Sequence, residues 1–526
     1  MKQPRFASSY PANALLVILS ISPGLLNGAA LNYVFPSIAR DFGAAPASVF
    51  WLPTLGDAAI AFGGIVAAEL ARHVEARRLY LATLIVAILS CILATLATDV
   101  LALILTQTIR GMVAGFMLVI ALGPLIAGFG QAKLPVTTAI AIAALFGVAS
   151  LGPIVGAFAD SIPHGWRYMF AVEMLLGLCA FWLAYNTLGE RPPQRTSNYV
   201  DWPAIVLAIA TTILNFCGVA AFMQHRWYEP AVWVPLTLGN AGLIALFVIE
   251  ARSPDPLLPV KELRRAYPLI GAFACVFASG AYAAAQRGVA FFLTFIQARD
   301  QLTVAAVLSF AVIGALVAAP IYARVVATRW GAPMALVGLI LLGIGSFAGT
   351  TFGTDRPLFA TVVVVVILAL GAGLTITPGL LTMALGVQGH FVGRAIALLA
   401  LLRTEASYLT GPIATIFAAS RGHHYAAQIC LRCPDYNMDL DSVQRIVIGG
   451  TTGLINRAFP KPVLDAYLSG IHEGFLALTV LTAVAIVFVV VIFWRSGVHL
   501  VAPRIGCFLS DGVALESPPL FSDPAK

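Results

Sequence analysis

Charge is scarce in this chain. Only 10% of its 526 residues are Asp, Glu, Lys or Arg, whereas 60% are hydrophobic, and the mean hydropathy is +0.91. A soluble domain of this length needs a polar surface that such a composition cannot supply, so soluble globular classes are excluded. The sequence also has no Gly-x-x-x-x-Gly-Lys-Ser/Thr phosphate loop, no His-Glu-x-x-His pair and no helical histidine cluster. Nucleotide-driven transport, metalloprotease chemistry and haem binding therefore lack support, and neither enzyme activity, cofactor nor metal is expected. No small-residue cleavage site closes the first apolar run, so that run is expected to stay in the protein. Of seven cysteines, only Cys430 and Cys433 form a Cys-x-x-Cys. That pair suits a disulfide in an oxidising compartment, and a zinc site there would need two more ligands, with His423 and His424 nearby.

What the chain has in abundance is apolar runs of membrane length. A helix needs about 20 apolar residues to cross a bilayer. Fourteen such spans can be drawn, at 13–38, 49–71, 79–98, 101–129, 134–159, 167–188, 202–223, 231–249, 268–296, 303–326, 332–352, 357–384, 395–419 and 471–494. Basic residues alternate across the connections. The even-numbered ones hold thirteen, among them Arg72, Arg77, Arg78, Lys133, Arg264, Arg265 and Arg394, whereas the first six odd-numbered ones hold five. Basic loops stay in the cytoplasm, which puts both termini there and 420–470 outside. The excess of +7 thus reads as topology, and no nucleic-acid partner is expected.

Two Pro-containing polar connections, 189–201 and 250–268, bracket spans seven and eight. They divide the chain into an N-terminal six-helix bundle (1–189), an inserted helix pair with cytoplasmic linkers (190–267), a C-terminal six-helix bundle (268–500) with the external loop 420–470, and a cytoplasmic tail (501–526). A helix-like stretch is expected within that loop at 442–458.

Span five contains Gly147-Val-Ala-Ser-Leu-Gly152-Pro153-Ile-Val-Gly156. Its glycines permit close helix approach and its proline a bend. The segment resembles the antiporter motif of the major facilitator superfamily, in particular of its fourteen-span drug:proton antiporters, the EmrB/QacA-like multidrug exporters. Other similarities follow in family order: LNYVFPSIA at 31–39, Trp51, Gln107-Thr-Ile-Arg110-Gly111 with Gly115, Trp166-Arg167-Tyr168, Asp255-Pro-Leu-Leu-Pro, Arg394 through Arg403, and His423-His424. The resemblance implies an all-α polytopic fold of two six-helix bundles plus two extra central helices, in a bacterial inner membrane. It also implies proton-coupled export of small hydrophobic or cationic toxic compounds by alternating access. A periplasmic adaptor and an outer-membrane duct are the partners it suggests. Two departures stand out. The loop after span two reads Ala68-Glu69-Leu70-Ala71-Arg72-His73-Val74-Glu75-Ala76, without the family's aspartate and second glycine, and Asn27 stands where many relatives carry a span-one acid.

Six ionisable groups fall deep inside spans, well away from their ends: Asp57, Arg110, Glu173, Arg287, Arg403 and Glu405. Unpaired, they would cost on the order of 15–20 kcal/mol, more than typical folding stability, so they must pair or face water. On the family's lining helices, Asp57, Glu405 and Arg110 are assigned to proton coupling, and Asn27, Asn32, Arg287 and Arg403 to the substrate cavity. Glu173 is expected off the lining helices. Arg403 and Glu405, two residues apart, point about 200° apart around their helix. A carrier for one metabolite or organic anion, and a non-transporting sensor, remain alternatives.

Overall fold

In the computed structural model the described residues are 9–127, 131–189, 200–222, 225, 229–253, 255–387, 391–432, 461–495, 509–510 and 513–514. Cys433, the stretch 442–458 and nearly all of 496–526 lie outside them, as does the side chain of Cys430. Helix dominates because in hydrocarbon a backbone must satisfy its own polar groups. Fourteen long helical segments run through the described residues: α1 Tyr10–Leu31, α2 Trp51–His73, α3 Ala76–Thr95, α4 Val100–Ala127, α5 Leu134–Asp160, α6 Gly165–Thr187, α7 Trp202–Phe222, α8 Pro230–Arg252, α9 Ala266–Ile296, α10 Gln301–Val325, α11 Met334–Gly349, α12 Leu358–Gly386, α13 Val392–Arg432 and α14 Lys461–Arg495. Twelve are long and apolar enough to span a membrane; α11 is shorter, and α13 falls outside that set. The only strands described are two residues each, Leu509–Ser510 against Val513–Ala514.

Small residues set the tight crossings. A Cβ on Gly63 would lie 3.0 Å from the Met112 Cα, so α2 and α4 run backbone against backbone. In the other half, one on Gly379 would lie 2.9 Å from the Cys275 nitrogen, bringing α9 equally close to α12. The two halves meet along α2 against α13 and α5 against α10. The helix pair α7 and α8, central in the sequence, is peripheral in space: α7 packs on the outer sides of α2 and α13, and α8 mainly on α7.

The connection between α13 and α14 is shorter than its sequence suggests, because helix continues past the expected end of span thirteen. From Arg421 to Arg432, α13 extends about 17 Å at 1.5 Å per residue. It is held to α14 by Arg421, whose Nε donates to Glu473 Oε2 at 2.5 Å, by a Tyr425 hydroxyl bond to Glu473, and by Gly422 seated on Tyr467.

Candidate functional site

The sequence bends α5 where the motif lies. Regular α-helix gives way to a wider π-type turn over Ala141–Gly147, and α-helix resumes at Gly152. Pro153 has no N–H to give and its ring excludes the carbonyl four residues back. The Ile154 N–H instead donates to the Ser309 hydroxyl of α10 at 3.0 Å. Gly152 and Gly156 face α1: a Cβ on Gly152 would lie 2.9 Å from both the Leu26 oxygen and the Ala30 nitrogen, and one on Gly156 would run into Ala30 oxygen and lie 2.9 Å from Tyr33 Cβ. Gly147 faces the other way, 3.3 Å by the same measure from Ala315 Cβ of α10. The motif is thus a wedge clamped between one helix of each half.

Two sides of the molecule differ. Where α2 ends and α9 and α13 begin, the side of the basic loops, Arg72 is buried and paired with Glu69 at 2.7 Å and with Asp255. Asp255 in turn accepts from Arg394 of α13 at 3.2 Å, and Glu69 also meets His73 at 3.1 Å. The aspartate missing from the 68–76 loop is therefore supplied by the 253–265 linker, which ties one half to the other. Above this cluster Gly123 and Ile396, and Val119 and Gly393, bring α4 into contact with α13.

At the opposite side α1 and α9 share no packing seam. Arg287 of α9 is exposed, although its surroundings are Asp57 of α2, Tyr33 in the turn after α1, and Tyr408 and Gly411 of α13. Exposure among these elements marks an open vestibule. Among the described residues Asp57 makes no ion pair within 4 Å, so Arg287 acts on it across a gap. Asn32 caps α1 at the rim and is exposed. Gln301 Nε2 bridges to the Tyr33 carbonyl at 2.5 Å on one flank, and Thr54 and Tyr408 hydroxyls meet at 2.7 Å on the other.

Arg110 and Asn27 do not line this vestibule as free groups. Arg110 pairs with Glu173, hydrogen-bonds Gln107 and lies 4.6 Å from the Phe170 ring centroid. Asn27 donates to Glu173 Oε2 at 2.6 Å. Glu173 was expected off the lining helices, and its Cα is indeed on α6, yet its carboxylate reaches between α1 and α4. The acid that span one lacks is delivered by span six. Sequence spacing offers no signal for that pairing, because the partners are 63 and 146 residues apart. Glu405 points away from the vestibule: buried, it accepts from Asn215 of α7 at 3.0 Å with Thr212 adjoining, and Asn240 of α8 extends the chain of amides. Beside it Tyr408 stacks on Phe216 at 4.0 Å. Arg403, two residues earlier, faces instead a central cavity of about 160 Å³ between the halves. No group of three or more His, Cys, Asp or Glu among the described residues could hold a metal.

Outside the membrane-spanning segments, Asp41 closes a clasp with the start of α6, accepting from Trp166 Nε1 and meeting His164 Nδ1, each at 2.7 Å. Burial pushes the Asp41 carboxyl up, but these hydrogen bonds and the charges of His164 and Arg167 outweigh it and hold the group below its ordinary value.

Comparison with known proteins agrees with this architecture. The cephamycin export protein CmcT of Amycolatopsis lactamdurans is 32% identical over 240 residues, which cover 44% of this chain and 48% of that protein. The chain thus matches about half the length of that relative. The uncharacterized transporter YebQ of Escherichia coli is 26% identical over 64% of this chain and 73% of its own length, and the multidrug export protein EmrB of Haemophilus influenzae is 23% identical over 47% and 49%. Among solved structures, a POT family transporter superposes with a TM-score of 0.60 at 15% identity, covering 94% of this chain and 99% of its own. The human organic anion transporter MFSD10 does so at 0.57 and 13%, covering 89% and 99%. The family model described as Major Facilitator Superfamily matches residues 17–412. With its apolar helices, paired halves and inter-half cavity, this multi-pass membrane chain is a transporter by family and not an enzyme: it belongs to the Major Facilitator Superfamily.

Proposed function

We propose that the protein is a proton-driven exporter that moves small, largely apolar toxic compounds out of the cytoplasm by alternating access across a bacterial inner membrane. The observation that carries the reading is the asymmetry of the two sides: an ionic clasp of Arg72, Asp255 and Arg394 on the basic side, and on the other an open vestibule where Arg287 is exposed and the half-buried Asp57 lies near it. Relatives named as exporters support the direction. All fourteen helices then cross the membrane, α11 and α13 included, with both termini cytoplasmic. The units are 1–189, 190–267, 268–500 and 501–526.

Asp57 is the carrier of the coupled proton in this reading, and the Arg110 and Glu173 pair is the element that alternates with it. Glu405, held by α7, anchors the inserted pair. Extension of α13 and α14 beyond the membrane gives a surface for a periplasmic adaptor leading to an outer-membrane duct. Dye accumulation in everted vesicles tests the reading directly. It should require the proton gradient, and Asp57→Asn should abolish it while substrate binding persists. Gradient-independent accumulation, or full activity of the variant, refutes it. Reporter fusions after Lys261 and Asp435 should report opposite sides, and equal signals would overturn the topology.

A further inference from the structure

Five of the six ionisable groups deep inside spans are accounted for: Arg110 with Glu173, Glu405 with Asn215, and Asp57 with Arg287 across the vestibule. Arg403 is not. It makes no ion pair or hydrogen bond among the described residues and lies eleven residues, about 17 Å, into α13, near mid-membrane. It is one of fifteen residues lining the 160 Å³ cavity, of which only Thr377 is also polar. The rest are apolar and come from both halves, among them Leu25 of α1, Leu118 and Leu122 of α4, Phe146 of α5 and Ile396 of α13. An apolar cavity of about 150 Å³ accepts one benzene-sized ring, and this one has that size with a mostly apolar lining. The guanidinium at its wall is half-buried and has no counter-ion among the described residues, which leaves it free to meet an anion.

We propose that this cavity is the binding site for aromatic organic anions, the ring seated among the apolar side chains and the carboxylate held by Arg403. This rests on the exporter reading and narrows it, because the charge left over in the interior between the halves is positive and disfavours the cationic compounds that the family resemblance suggests. Guanidinium meets carboxylate through two parallel hydrogen bonds, a geometry lysine cannot reproduce. Arg287 lies on the vestibule side, since its neighbour Gly411 is eight residues, about 12 Å, further along α13. An anion leaving Arg403 would therefore meet a second cation on its way out.

The test uses the full chain in lipid nanodiscs with 1-naphthoate, its neutral amide and 1-naphthylmethylammonium. Naphthoate should bind about tenfold more tightly than the amide, the strength of a charge-assisted contact, and the cation most weakly. Arg403→Gln should erase the preference while leaving amide binding intact, and Arg403→Lys should restore it only in part. Ala149→Phe, which fills the cavity, should weaken both acid and amide. Equal binding of acid and amide by the parent protein, or an unchanged preference in Arg403→Gln, overturns the proposal. Vesicle transport separates the two readings. Neutral dyes pumped without naphthoate binding refute the anion site alone. Arg403-dependent naphthoate binding with no gradient-driven movement of any compound refutes the exporter reading and leaves the site standing.

Discussion

Adding a single methyl group at Gly152 or Gly156 perturbs the crossing of α5 with α1 at a place where the structure gives no room. A Cβ at Gly152 would lie 2.9 Å from the Leu26 oxygen and the Ala30 nitrogen, and both are backbone atoms that no rotamer change can move. Ordinary contact needs about 3.5 Å, so α1 must retreat by roughly 0.6 Å, and further where the methyl meets Ala29. Overpacking of this kind costs about 1–3 kcal/mol. Concentrated in one conformation of an alternating transporter, that shifts the balance between states by about 5- to 150-fold. Gly152→Ala and Gly156→Ala should therefore lower gradient-driven efflux at least fivefold and lower the unfolding midpoint in detergent. Gly147→Ala, whose methyl would meet Ala315 Cβ at 3.3 Å and the Ile142 oxygen at 3.7 Å, and Gly28→Ala, with nothing within 4 Å, serve as controls and should stay near parent levels. Efflux of a fluorescent substrate from loaded cells, normalised to membrane expression, reads the effect. If Gly156→Ala pumps and melts like the parent while Gly147→Ala does not, the wedge model of α5 is refuted.

Removing one partner of the buried Arg110 and Glu173 pair should cost about 3–5 kcal/mol: Glu173→Gln is expected to lower expression-normalised melting sharply, and the double variant Arg110→Gln with Glu173→Gln to recover much of it without recovering transport. Asp255→Asn weakens the carboxylate that pairs with both Arg72 and Arg394, so a cysteine pair spanning the basic side should crosslink less readily than in the parent. Asn215→Ala removes the described donor to Glu405 and should loosen α7, seen as faster proteolysis of 190–267, with Glu405→Gln milder because an amide still accepts. The Asp41 clasp carries a pH signature. Its carboxyl is held below the ordinary value of 3.8, so its contribution is present above about pH 4 and lost as pH falls through the folded value. Asp41→Asn should thus melt below the parent at pH 7, and the two should converge as pH falls through and below the folded value of Asp41.

Composition and periodicity alone determined the membrane class, the helical fold, most helix boundaries to within a few residues and the close crossing at Gly152 and Gly156; the ends of α1 and α13 and the start of α14 lie 7 to 13 residues from where hydropathy put them, because helix continues or stops there independently of apolar content. What they determined is legible because hydrocarbon allows few alternatives: each run of about 20 apolar residues must be helix, and a Gly-Pro inside it must bend and approach. The expectation that the six intramembrane charges pair or meet water was likewise a matter of energy and needed no coordinates. Which partner each takes was decided only in three dimensions. Glu173 on α6 completes Arg110 and Asn27, Asp255 in a linker replaces the aspartate absent from the 68–76 loop, and Glu405 is turned by its 200° offset from Arg403 towards α7. The reason is physical: an ion pair is set by distance after folding, and helices 60 or 190 residues apart in sequence become neighbours only through packing of their small-residue faces. The solitude of Arg403 is of the same kind, since an unpaired charge is defined by everything around it and by no residue next to it in the chain.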